Sequence, residues 1–211
     1  MSDGADTSSS EKIKAIRTPP DWWKITTFAI GVALSSFQVW TAAFGILNPQ
    51  YQRGIHYACI LFLVFFLYQA GRGRRIRRSV PWYDILLTLA AVAINFYPIV
   101  FLYQIMRRAG DFTAIDGYVS LALILLTLEA TRRVIGWPLV IISILEILYA
   151  RIGYLIPGYF GHRGFDIFII STHSVLSLEG VMGIPMAVAS TFVFIFILFS
   201  SFLRISGLGQ F

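Results

Sequence analysis

The chain has 211 residues, of which 57% are hydrophobic and only 13% are charged, and its mean hydropathy is +0.72. Soluble domains carry about 45–50% apolar and about 25% charged residues, so this composition excludes an ordinary soluble globular domain. The net charge of +6 does not indicate a nucleic-acid partner, because the basic residues lie beside apolar segments, where they orient a membrane protein. The single cysteine, Cys59, leaves neither a disulfide framework nor a cysteine-rich metal site.

The order of polar and apolar segments predicts a polytopic membrane protein. Residues 1–20 are polar and end in Pro19-Pro20, which predicts a disordered cytoplasmic tail. Six apolar stretches follow, each close to the roughly 20 residues that a spanning helix needs, at 25–47, 55–71, 82–106, 115–131, 134–156 and 181–203. Pro98 predicts a kink in the third. The predicted fold class is an all-α integral membrane protein with about six transmembrane helices.

The segment between the fifth and sixth spans, HRGFDIFIISTHSVLSLEG, predicts one interfacial amphipathic helix. Its apolar residues recur at roughly helical spacing, and its polar residues gather on another side. The predicted apolar face consists of Phe165, Phe168, Ile169, Val175 and Leu176, and the polar face of Asp166, His173 and Ser177.

The distribution of basic residues predicts that the N-terminus is cytoplasmic. With that orientation twelve basic residues face the cytoplasm and five face outside. The arginine-dense connector GRGRRIRR decides the orientation, and its topology determinants are Arg72, Arg74, Arg75, Arg77 and Arg78.

Ionisable residues inside apolar segments are functional candidates, because burying charge in a bilayer is costly. Glu146, near the middle of the fifth span, is either a proton or cation site or a carboxyl that packs one helix against another. Glu129 lies three and four residues before Arg132 and Arg133, and this spacing predicts local ion pairs.

Polar residues without charge have simpler explanations. Asn95 either bonds across helices or satisfies carbonyls that Pro98 frees, and Gln38 has the same interpretation. The three histidines are predicted to be surface residues: His56, His162 and His173. No catalytic or metal-binding motif is present, so the chain is predicted not to be an enzyme, to have no catalytic residues, and to hold no cofactor or metal of its own.

Several strings resemble one transporter family. LEATRRVIGWPLVIISILEILYARIGYLIPG, then HRGFD and HSVLSLEGVMGIPMAVASTFVFIFILFSSFLRISGLGQF, resemble the fused membrane permease of TRAP (tripartite ATP-independent periplasmic) transporters, TAXI class. PWYDILLTLAAVAINFY and the arginine connector fit the same pattern. The resemblance covers nearly everything after the N-terminal tail, and residues 128–211 are its most specific part.

The resemblance implies a function that composition does not. It implies a component of a sodium-coupled symporter for organic anions in the cytoplasmic (inner) membrane of a bacterium or archaeon. Its partners would be the lipid bilayer, the remaining large-subunit helices and a periplasmic solute-binding protein. Residues 21–133 would be a four-helix small-subunit-like region, and 134–211 the junction and start of the large subunit.

The family's substrate and sodium sites lie in later hairpins, so substrate-binding residues are expected downstream of Phe211. The sequence is therefore expected to be an incomplete fragment of the permease. Two alternatives stay open: a membrane scaffold or assembly subunit without a transport site, and a membrane-embedded enzyme that uses Glu146 and Asn95.

Overall fold

The computed structural model describes residue 17 and residues 21–45, 47–71, 80–108 and 110–207. These residues form nine α-helices and no β-strand, which confirms the all-α prediction. The helices are α1 (Asp21–Phe44), α2 (Pro49–Leu67), α3 (Trp82–Val100), α4 (Leu102–Arg107), α5 (Ala114–Val134), α6 (Trp137–Ile152), α7 (Ile167–Leu176), α8 (Ile184–Val188) and α9 (Phe194–Ile205). A 3₁₀ turn (Gly153–Leu155) extends α6, and a π-helical turn (Ala189–Val193) joins α8 to α9.

Local sequence explains where several helices begin and end. Asn48 caps α2 by accepting a hydrogen bond from the Gln50 amide at 3.1 Å, and Pro49 takes the first helical position, where no amide hydrogen is needed. The third apolar segment is divided at Phe101 into α3 and α4, while α3 continues through Pro98 to Val100. The kink at Pro98 stays a prediction.

The core is built from α2, α3, α5 and α7. Helices α2 and α3 pack side by side, and α5 packs against both of them and against α7. Phe65 and Leu61 of α2, Ala91 of α3 and Leu123 of α5 are almost completely buried. Helices α1, α6 and α9 lie outside this core and expose many large apolar side chains.

In the part of the chain that the structure describes, five helical segments are long and apolar enough to cross a membrane: Trp23–Phe44, Trp82–Val100, Ala114–Val134, Trp137–Leu155 and Ile184–Ile205. The predicted number of about six spans differs from this result, because α2 is not among the five. Its first two turns contain Gln50, Gln52, Arg53 and His56, which lower its hydropathy. We infer that α2 is the interior helix of the bundle, with a polar first half.

The helix predicted between the last two apolar segments exists as α7. Phe168 and Ile169 of its predicted apolar face are exposed, and Val175 and Leu176 are buried against the bundle together with Ser171 and Thr172. Both hydroxyls donate to carbonyls of their own helix, at 2.6 and 2.7 Å, so these small side chains enter the interface with satisfied hydrogen bonds. Its position at a membrane interface stays a prediction.

The segment after α7 folds back onto the end of that helix. The Val181 amide donates to the Ser174 carbonyl at 2.6 Å, and a Cβ on Gly180 would lie 2.2 Å from the same oxygen. Only glycine therefore allows this close approach of two backbone segments.

We predict that Gly180→Ala destabilises the protein by about 1–3 kcal/mol, because the added methyl group overlaps backbone that cannot rotate away. Thermal unfolding in detergent measures the effect. The control is Gly31→Ala in α1, where a Cβ meets no atom within 4 Å and alanine favours the helix. Equal unfolding temperatures for the two variants would contradict the prediction.

Candidate functional site

A fully buried carboxylate, Asp84, lies between two guanidinium groups where α2 ends, α3 begins and α5 ends. Arg133 donates to one carboxylate oxygen at 2.8 Å, and Arg17 pairs with the other. Arg17 falls in the tail that the sequence predicts to be disordered, so that prediction is wrong for this residue: its side chain is buried. Residues 1–16 and 18–20 lie outside the described residues.

The same two arginines also bind the end of α2. Arg17 donates to the carbonyls of Phe65 and Phe66 at 3.3 and 3.2 Å, and Arg133 donates to the Tyr68 carbonyl at 3.2 Å. The last carbonyls of a helix have no partner within it and carry its negative partial charge. The guanidinium of Arg133 also lies over the Phe65 ring, 5.0 Å from its centroid.

Glu129 completes this group of charges. It accepts hydrogen bonds from Arg132 at 2.7 and 2.8 Å and from Arg133 at 2.8 Å, which confirms the local pairing predicted from their spacing. We call the set Arg17, Asp84, Glu129, Arg132 and Arg133 the Asp84 cluster, and this side of the bundle the Asp84 end.

A second buried polar group lies toward the opposite end and contains no charged side chain. We call it the Gln52 cluster: Gln38 and Thr41 of α1, Gln52 and His56 of α2, and Ser190 of the π-helical turn. All five residues are at most 4% exposed. The Gln52 amide nitrogen lies 2.9 Å from the Gln38 side-chain oxygen, 3.1 Å from the Thr41 hydroxyl and 3.5 Å from the Ser190 carbonyl.

The histidine in this cluster corrects a prediction. His56 is buried, with its Nδ1 2.9 Å from the Gln38 amide nitrogen, and is not a surface residue. The reason is that α2 begins at Pro49, so His56 lies two turns inside a helix and not in a loop. His173 is exposed as predicted, and His162 is half-buried beside Gly153.

The other predicted site residues are dispersed in the structure. Asn95 is buried and donates to the Gly54 carbonyl across α2 and α3 at 2.9 Å, as one of its two interpretations predicts. Glu146 is exposed on α6 and forms no ion pair with another described residue. The topology determinants Arg72, Arg74, Arg75, Arg77 and Arg78 lie outside the described residues.

A further buried carboxylate was missed by sequence reasoning. Asp116 accepts hydrogen bonds from the Tyr97 hydroxyl at 2.7 Å and from the Thr113 amide at 2.8 Å, and pairs with Arg108. Thr113 and Asp116 also form a capping box at the start of α5. The T-x-x-D spacing before an apolar run was the sequence pattern that could have identified Asp116.

For the Gln52 cluster, the sequence patterns that could have identified it were the four-residue spacing of Gln52 and His56 and the three-residue spacing of Gln38 and Thr41.

Among the described residues, no group of three or more His, Cys, Asp and Glu side chains is arranged to hold a metal ion. The fold and its buried polar clusters define a multi-helix chain with segments of membrane-spanning length. Comparison with family models, curated proteins and solved structures finds no match to it.

We predict that Asp84→Asn lowers the free energy of unfolding by about 3–5 kcal/mol, because it leaves two buried guanidinium groups without their shared counter-charge. The rate at which a thiol reagent labels the single cysteine, Cys59, during heating in detergent reports the unfolding.

The matched control for that variant is Asp21→Asn. Lys24 donates a hydrogen bond to Asp21 and lowers the pKa of its carboxyl group, but this pair is exposed. Solvent screens such a pair, so we expect no measurable change in unfolding temperature. An Asp84→Asn protein as stable as the control would contradict the prediction.

Proposed function

We propose that the chain is a multi-pass protein of a bacterial or archaeal cytoplasmic membrane. Five segments of spanning length support this, and so does the surface of the bundle. Helices α1, α6 and α9 expose residues such as Phe28, Leu145, Phe196 and Phe202, which would be costly to leave in water.

The orientation with the N-terminus in the cytoplasm is part of this proposal. Of the ten basic residues that the structure describes, five belong to each predicted side. The predicted excess on the cytoplasmic side therefore comes from Lys12, Lys14 and the five arginines of the connector, all outside the described residues. The proposed orientation rests mainly on that connector.

We expect a reporter enzyme that is active only outside the cytoplasm to be active when fused after Gly110 or Gly158. The same reporter fused after Gly71 should be inactive. These glycines lie at alternate ends of the helices. Activity after Gly71 together with inactivity at the other two positions would reverse the orientation.

Within that membrane, the proposed role is a permease component of a sodium-coupled, binding-protein-dependent transporter for organic anions. Its support is the resemblance of residues 128–211 to TRAP permeases of the TAXI class and one structural observation. Glu146 lies near the middle of the apolar helix α6, exposed beside Leu145 and Ile142. A carboxylate facing lipid there costs about 2.5–3.5 kcal/mol on insertion scales, which favours a covering partner helix.

A second candidate is a scaffold subunit that has no transport site. The ion pairs of the Asp84 cluster favour the scaffold role, because they connect the end of α2, the start of α3 and the end of α5.

Uptake of the organic anion by the complete transport system, measured in vesicles carrying a sodium gradient, tests both roles. Deletion of this polypeptide should abolish sodium-dependent uptake, and unchanged uptake would refute both. The permease role predicts that sodium-dependent substrate binding is lost as well. The scaffold role predicts that binding persists while the remaining subunits become less stable to heat.

We predict that Glu146→Leu leaves the unfolding temperature of the isolated chain unchanged, because the carboxylate forms no ion pair with any other residue that the structure describes. The same variant should reduce co-purification of the partner helices at least severalfold. Glu146→Gln keeps hydrogen bonding and is the conservative control. Full assembly of the Glu146→Leu protein would remove Glu146 from the proposed interface.

A further inference from the structure

The Gln52 cluster contains more hydrogen-bond acceptors than its donors satisfy. The Gln52 amide group has two hydrogens, yet three oxygen atoms surround its nitrogen: those of Gln38, Thr41 and Ser190. The Thr41 hydroxyl donates its own hydrogen to the Gln38 backbone carbonyl at 3.0 Å, so it faces the amide as an acceptor. At the other end of the same amide, Oε1 of Gln52 is buried and has no partner.

A polar atom buried without a partner is uncommon, so it calls for an explanation. The Ser190 carbonyl adds a second feature. It belongs to the π-helical turn Ala189–Val193, and such turns occur frequently at functional sites. In other membrane proteins, backbone carbonyls at helix irregularities of a different kind, unwound segments, coordinate Na⁺.

We propose that the Gln52 cluster is a binding site for a monovalent cation. The ion lies between the side-chain oxygens of Gln38 and Thr41 and the Ser190 carbonyl, beside the position now held by the Gln52 amide nitrogen. The amide turns over so that its Oε1 faces the ion, together with the side-chain oxygens of Gln38 and Thr41 and the carbonyl of Ser190. This turn moves the unpaired end of the amide from oxygen to nitrogen, so it adds no new unsatisfied atom.

The chemistry of the ligands selects a single positive charge. All four oxygens are neutral, and the nearest charged residue in sequence, Arg53, is held by the Met182 and Gly183 carbonyls at 2.5 and 3.4 Å. A divalent ion buried among neutral oxygens would lack the compensating carboxylates that calcium and magnesium sites use.

The cluster joins three elements, so occupancy would change how they are held together. Gln38 and Thr41 lie on α1, Gln52 on α2 and Ser190 between α8 and α9. An ion bound to oxygens from all three stabilises the folded chain by RT ln(1 + [ion]/Kd), so the stabilisation grows with the logarithm of the ion concentration above the dissociation constant.

The test is the thermal unfolding of the purified full chain in detergent, in choline chloride and with choline replaced stepwise by sodium, potassium or ammonium at constant ionic strength. At least one of these ions should raise the unfolding temperature of the wild type by a few degrees, and above the dissociation constant the rise should be linear in the logarithm of the ion concentration. Thr41→Val, which removes one oxygen and keeps the side-chain shape, should abolish this rise, and Gln52→Leu should do the same.

The control is Gln50→Leu on the same helix, because Gln50 donates to the Leu176 carbonyl outside the cluster. It should keep the ion-dependent rise. The proposal is overturned if no ion exceeds choline in the wild type, or if Thr41→Val retains the full rise. The experiment uses no substrate or partner subunit, so its outcome is independent of whether the chain takes part in transport.

Discussion

The buried carboxylate of Asp84 is the interaction on which the arrangement of the inner helices depends. Each of its oxygens meets a different guanidinium group, and each of these groups also donates to a carbonyl at the end of α2. A negative charge at the start of α3 and positive charges at the ends of α2 and α5 complement the three helix dipoles. This compensation requires α3 to run in the opposite direction to α2 and α5.

The two ends of the bundle are held together by different chemistry. Ion pairs hold the helices together at the Asp84 end, and removing one residue of a pair would leave the other charge unpaired in apolar surroundings. Neutral amides, a hydroxyl and a carbonyl fasten the Gln52 cluster, where hydrogen bonds exchange partners at a smaller cost. A rearrangement triggered by a ligand is therefore easier near the Gln52 cluster. The Asp84 end is the more rigid part.

The sequence predicted the positions of the helices better than the side-chain contacts between them. Segment length and apolarity were sufficient to predict the all-α fold. The number of spans differs because α2 begins at Pro49, so the apolar stretch that was counted as the second span is preceded in the same helix by two polar turns. His56 was misplaced for the same reason. Pairings such as Arg17 with Asp84 join residues 67 positions apart, and no local spacing encodes them. Local pairs, such as Glu129 with Arg132 and Arg133, were predictable.

The wide sequence separation within the Asp84 cluster has a consequence for biosynthesis. Chains fold from the N-terminus as they leave the ribosome, and Arg133 is made 49 residues after Asp84. Until Arg133 is made, Arg17 is the only residue of the cluster that has been synthesised and that pairs with the Asp84 carboxylate. A nascent chain that contains only α1–α3 therefore lacks one of the two guanidinium groups that pair with Asp84. The second ion pair forms only after the last turn of α5, which carries Arg133, has been synthesised.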